Sequence, residues 1–205
     1  MDFLPLFFKL QEKHCLVVGG GAVALRKASL LLRSGGKVFV VAETLSAEMK
    51  QFVQQHALGY REGAFVDNDL NNMQLVIAAT DDESLNARVS QLAQQRQILV
   101  NVVDNPALCS FILPAIVDRS PVIVAVSSGG QSPVLARLLR ARLESVIPAA
   151  YGRLALLMGR YRDVVKNSIK GGNQRRGFWE SVLQGPIAEL VFAGKEQQAE
   201  SLLQQ

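Results

Sequence analysis

The chain has 205 residues, 49% of them hydrophobic and 20% charged, enough to bury one full core and to add a smaller unit to it. The formal charge of +4 gathers between Arg119 and Arg176, which predicts an anionic partner: a polyanionic small molecule or, less well supported without zinc-finger spacing or an RNP-type aromatic motif, a nucleic acid. Two cysteines, Cys15 and Cys109, in apolar contexts suit core residues rather than a disulfide framework, and no apolar run nears the ~18 residues of a membrane span.

The N-terminal stretch MDFLPLFFKLQEK has no small-residue cleavage site, so a cytoplasmic protein is expected. His14 to Val18 is a short apolar run that ends in three glycines, the form of a buried parallel strand. Ala22 to Arg33 carries apolar residues at helical spacing and is stopped by Ser34-Gly35-Gly36; Lys37 to Ala42 is a second strand. Together they make one right-handed βαβ unit. Ser46 caps a helix from Ala47 to about Gln55, and a short strand runs from Leu58 to Glu62. A firmer strand, Leu75 to Ala79, leads through Thr80-Asp81-Asp82-Glu83 into a helix from Ser84 to Gln95, and Ile98 to Val103 is the next strand. Alternating strands and helices predict a Rossmann-like α/β fold, a mostly parallel sheet with helices on both faces.

Beyond Asp104-Asn105-Pro106 the pattern changes. Ser110 to Val117 and Val122 to Val126 read as a hairpin-like pair of strands, and Pro133 to about Val146 as a helix with Ser132 at its cap. The remainder is helical and basic, broken at Gly171-Gly172, with a polar terminus from Gln197 to Gln205. The expected organisation is a dinucleotide-binding domain over 1–113, a small α+β segment over 114–147 and a basic helical domain over 148–205.

Gly19-x-Gly21-x-x-Ala24 fits the dinucleotide fingerprint and stands where that fingerprint belongs, between a strand and a helix. Gly19 permits the tight turn, Gly21 the approach of a pyrophosphate, and Ala24 the close packing of helix on strand. Glu43, just past the second strand, is placed to bond a ribose 2′-hydroxyl and would repel a 2′-phosphate, so NAD is expected rather than NADP. Two acidic sites lie at carboxyl ends of strands. Asp81 and Asp82 read best as helix-cap charges, while position alone leaves Asp104 open between a turn residue and an acid–base group. His14 lies at the wrong end of the first strand and His56 on a polar helix, which argues against a histidine relay or a resident metal cage. Ser127-Ser128-Gly129-Gly130 before a helix start could nest an anion, with Arg137 and Arg140 adding charge.

The strings LVVGGGAVALRKASLLL, VIAATDDESLN, NVVDNP and SFILPAIVDRSPVIVAVSSGGQSPVLARLLRARLE resemble the N-terminal module of siroheme synthase, along essentially the whole chain. The resemblance implies a bifunctional enzyme: an NAD-dependent precorrin-2 dehydrogenase that yields sirohydrochlorin, and a ferrochelatase that inserts Fe²⁺ as its second substrate. It implies Asp104 as general base in both steps and as a transient Fe²⁺ contact, with no permanent metal. It places cofactor contacts at Ala22, Val23, Glu43 and Thr44, beside Gly19 and Gly21, and substrate contacts at Asn101, Ser128, Gly129 and Arg137. Ser128 matches a serine phosphorylated in a relative, where added negative charge would oppose an acidic substrate. The resemblance further implies a homodimer formed through about Pro114 to Ile147, with a site shared between subunits, and a uroporphyrinogen methyltransferase either fused or separate. It implies neither nucleic-acid nor membrane partners.

A different class also fits the residues: an NAD-binding redox sensor whose basic half holds nucleic acid, since a glycine fingerprint shows binding and not turnover. Steeply salt-dependent DNA binding would mark that class.

Overall fold

Along the first strand, β1 (His14–Val18), Cys15 and Val17 enter one apolar cluster while Leu16 and Val18 enter another. The same period of two recurs in β2 (Lys37–Ala42) and β4 (Leu75–Ala78): Val38, Val40, Leu75 and Ile77 join the first cluster, and Val41, Val76 and Ala78 the second. With β3 (Gly59–Glu62) and β5 (Leu99–Val102) these strands form one parallel sheet in the order β3-β2-β1-β4-β5 in the computed structural model, which describes residues 2–204. Helices α1 (Ala22–Arg33) and α2 (Ala47–Gln55) close the first face with Ala24, Ala28, Leu31, Met49 and Val53. Helix α3 (Glu83–Gln95) closes the other with Val89 and Ala93. Each such side chain, once enclosed, contributes roughly 1.5–3 kcal/mol if it is as large as Val, Leu or Ile. The sheet is thus the expected Rossmann-like one, covered on both faces.

Strand order decides where a ligand can go. The chain builds outward from β1 to β2 and β3, then returns to the other side of β1 for β4 and β5. Connections diverge between β1 and β4, and the crevice of such a sheet opens at the carboxyl ends of the strands there.

Contacts divide the chain after Leu113. In the second unit β6 (Ala115–Arg119) and β7 (Val122–Val126) pair antiparallel, as the sequence predicts. Helices α4 (Pro133–Val146), α5 (Ala150–Ser168), α6 (Gly172–Gln184), α7 (Pro186–Phe192) and α8 (Glu196–Leu203) follow. Arg119 Nε donates to the Ile147 carbonyl at 2.9 Å and so ties the hairpin to the end of α4. Leu154 and Leu157 of α5, Ala188 and Val191 of α7 and Ala199 of α8 form a core of their own. No described helix is long and apolar enough to cross a membrane.

One expectation fails. The strand predicted from Ser110 begins only at Ala115. The intervening residues instead cover the free edge of β5. Ser110 donates its N–H to the Val100 carbonyl at 2.9 Å, its hydroxyl accepts the Val100 N–H at 2.8 Å, and the Cys109 sulfur accepts the Val102 N–H at 3.1 Å. Two side chains and one main-chain N–H, not a sixth strand, satisfy that edge at Val100 and Val102. The polar terminus forms α8, within the helical domain expected over 148–205: the buried Ala199 and the partly buried Leu203, four residues apart, lie on one stripe among glutamines and glutamates. Met1 and Gln205, the outer limits of the predicted ranges, lie outside the described residues.

Candidate functional site

β1 ends at Val18 and the chain turns at once through Gly19, whose φ of 128° suits glycine alone. A Cβ there would stand 2.3 Å from the Ala79 carbonyl oxygen, and a Cβ at Gly20 would stand 2.0 Å from that of Thr44. The turn is squeezed between the ends of β4 and β2. At Gly21 the reverse holds: a Cβ would meet nothing within 4 Å. Gly21 is the N-cap of α1 and brings no side chain to bond the first helical N–H groups.

These residues line a cavity of about 700 Å³, a volume typical of small-molecule sites. Ala22, Val23, Glu43 and Thr44 border it, as do Phe65 and Asp81. Uncapped N–H groups at a helix start, beside a glycine with open space, suit a pyrophosphate. Glu43 is exposed on the wall, where a ribose hydroxyl pair would need an acceptor. The donor set fits a dinucleotide. The wall at Gly63 to Phe65 is braced from behind: Arg61 bonds Asp69 at 3.0 and 2.5 Å, and Asp69 accepts the Val66 N–H at 2.8 Å.

A second cavity, about 280 Å³, adjoins the first and shares Val23, Ala79, Thr80 and Asp81 with it. Asp104 stands here, on the turn that follows β5. It is exposed, adopts a φ of 58°, and accepts no hydrogen bond from the described residues. The turn leaves this carboxylate open to the cavity. Lys27, one helical turn beyond Val23, is half-buried and within electrostatic reach of Asp104 and Cys109. Burial, aided by the neighbouring Arg26 charge, lowers its ammonium pKa, and Asp104 and Cys109 oppose that shift.

Asp82 does what the sequence suggests. Its carboxylate caps α3 by accepting from Ser84 N and Leu85 N at 2.9 and 3.0 Å, and the Ser84 hydroxyl together with these N–H groups holds its pKa down. Between it and β4, Thr80 and the buried Asn86 lock together: Thr80 Oγ1 donates to Asn86 Oδ1 at 2.8 Å, and Asn86 Nδ2 donates to the Thr80 carbonyl at 2.9 Å.

Gly19, Gly21, Ala22, Val23, Glu43 and Thr44 therefore meet on one cavity, with Asp104 on its neighbour. Asn101 lines neither; it is buried on β5 and its Nδ2 donates to the Phe111 carbonyl at 3.1 Å. Ser128, Gly129 and Arg137 belong to the second unit. There the Ser128 hydroxyl accepts the Ser132 N–H at 2.9 Å, and Gly129 and Gly130 both have positive φ, the backbone of an anion nest. Arg140 is taken up by Glu144 at 2.5 Å, whereas Arg137 is exposed and forms no ion pair among the described residues. Thr80, Asn86 and Lys27 escape the sequence reading; for Lys27 the signal was its place four residues after Val23. Cys109 corrects that reading, since its thiol is hydrogen-bonded and not simply packed.

Residues 6–115, more than half of the chain, match the family model described as putative NAD(P)-binding. The chain belongs to that family. The rest of this NAD(P)-binding chain matches a sirohaem biosynthesis protein central region over 120–145 and a sirohaem synthase dimerisation region over 150–205. Curated relatives named siroheme synthase are 55% identical in Nitrosospira multiformis and 57% identical in Ectopseudomonas mendocina, each over all of this chain and 44% of the relative. The chain thus spans less than half the length of the curated relatives it matches. A solved structure, "SirC, precorrin-2 dehydrogenase", aligns with a TM-score of 0.76 at 22% identity, over 98% of this chain and 99% of that one, and shares the fold. The resemblance to siroheme synthase, first visible in short strings, extends along the chain. One detail differs: dimer contacts were expected over 114–147, whereas the model described as a dimerisation region matches 150–205.

Proposed function

We propose that the chain oxidises precorrin-2 to sirohydrochlorin with NAD⁺ and then inserts Fe²⁺ to give siroheme. The carrying observation is the common wall. Val23, Ala79, Thr80 and Asp81 border both the cavity at the glycine turn and the cavity of Asp104, so a base adjoins the dinucleotide site. Bound NAD⁺ supplies a hydride acceptor. Asp104, unbonded and open, takes the proton that leaves the macrocycle when the hydride does. In the second reaction the same carboxylate accepts protons released from the ring nitrogens and, as a hard oxygen donor, draws Fe²⁺ towards the ring. Arg137 and the turn at Ser128 and Gly129 bind substrate carboxylates, and phosphorylation of Ser128 would weaken that binding. Asn101 has only its amide oxygen left for substrate, because the Phe111 carbonyl and the Cys109 sulfur take its two N–H donors.

The chain acts as a homodimer in this reading. Val134, Leu135, Leu138 and Val146 are exposed on α4, within the segment expected to pair, and a family model for dimerisation matches the helices after it. A uroporphyrinogen methyltransferase, fused or separate, supplies the precorrin-2.

The test is an absorbance assay with precorrin-2, with and without NAD⁺, followed by Fe²⁺. Wild type should form sirohydrochlorin only with NAD⁺ and siroheme only after iron. Asp104→Ala should lose the oxidation by about a hundredfold or more while still binding NAD⁺. Normal turnover by that variant would remove Asp104 from the chemistry.

A further inference from the structure

We propose that Cys109 is a positioning residue for Asp104, a role that rests on the acid–base reading of Asp104 given above. Asp104 occupies the left-handed region at φ 58°, a conformation uncommon for residues other than glycine, though less so for aspartate, and one that neighbouring bonds can hold in place. The turn's own backbone imposes little: the Asn105 N–H reaches the Val102 carbonyl only at 3.4 Å. The Cys109 sulfur supplies the missing constraint. It accepts the Val102 N–H at 3.1 Å, and its S–H has two acceptors at 3.3 Å, the carbonyls of Val102 and Asn105. These residues bracket Asp104. One atom therefore spans both ends of the turn that aims the carboxylate.

The sulfur is itself held. Asn101 Nδ2 reaches it at 3.5 Å, and the Cys109 N–H bonds the Pro106 carbonyl at 3.1 Å. Ser90 of α3 donates to the Leu108 carbonyl at 2.6 Å, which anchors the preceding residue to a helix. Burial raises the thiol pKa, against the pull of the Val102 N–H and Lys27, so the sulfur keeps the proton it donates. A thiol that served packing alone would not need three backbone groups at hydrogen-bonding range.

The experiment is steady-state oxidation of precorrin-2 by the full chain, with Cys109→Ala, Cys109→Ser and Asp104→Asn compared against wild type after melting curves establish folding. The alanine variant should lose about tenfold in kcat, with KM for NAD⁺ and precorrin-2 within twofold of wild type, because the carboxylate is misplaced while both binding surfaces stay intact. Serine, which keeps a donor and an acceptor, should restore kcat to within about threefold. Should alanine not fold, Cys109→Val takes its place as the variant that fills space without bonding. A folded alanine or valine variant with wild-type kcat overturns the proposal, and so does a serine variant as slow as either. Asp104→Asn separates the two readings: if it is inactive while the Cys109 variants are normal, only the positioning role fails. If Asp104→Asn turns over normally, the acid–base reading falls and takes this proposal with it.

Discussion

Cys15 is fully enclosed in the cluster beneath α1, and burial pushes its thiol from an ordinary 9.0 up to about 11. The folded-state value lies above the unfolded one, so its stabilising effect is whole below pH 9 and is lost as pH rises towards 11. That rise corresponds to about 2–3 kcal/mol. Denaturant unfolding of wild type and Cys15→Ala should therefore show a stability gap that narrows by that order between pH 8 and 11; parallel curves would refute it. At this scale the sequence was most legible where chemistry is local. Asp82 and Ser132 each bond neighbours in the chain, and a short string displays them. Cys109 was misread for the opposite reason: its apolar neighbours say nothing of the Val102 and Asn105 carbonyls that the fold brings to its sulfur. Asp104 stood between two meanings in the sequence, and the fold adds its φ, its exposure and its cavity.

Helices and strands were legible to within a residue or so wherever one face is buried, because burial imposes a period that the sequence must carry. α2 is a good case. Ser46 Oγ accepts the Met49 N–H at 3.2 Å, and Met49 is wholly enclosed. Ser46→Ala should lower stability by about 1 kcal/mol in a denaturant melt, with no change in the fold. No effect would mean that solvent satisfies the N–H instead. Where partners are distant the reading failed. Ser110 to Pro114 looks like a strand by composition, yet Ser110 bonds Val100 of β5 and regular pairing starts only at Ala115. α8 lies within the stretch expected to be helical, although its glutamines hide the two apolar residues that dock it.

At the scale of the molecule, a Rossmann-like sheet could be expected from alternation, but not its order, which depends on pairings between residues far apart in sequence. Composition likewise registered a basic second half without revealing how its charges pair: Arg119 and Arg140 share Glu144, Arg153 meets Glu196, and Arg160 meets Glu200. The proposed self-association belongs to this scale too. Leu138 on α4 is 49% exposed, so Leu138→Glu should leave each chain folded and shift sedimentation from dimer to monomer. A dimer that survives the substitution at low concentration would place the interface elsewhere, with the helices over 150–205 as the next surface to alter.

The outer margin of β5 has a consequence for the protein in a crowded solution. An uncovered parallel strand offers a row of amide and carbonyl groups to any extended peptide, including a copy of itself. Here a hydroxyl, a thiol and one main-chain N–H have already claimed the groups of Val100 and Val102. On this side the sheet is closed to a sixth strand at Val100 and Val102, and the block against edge-to-edge stacking there is supplied by two small adjacent residues, Cys109 and Ser110.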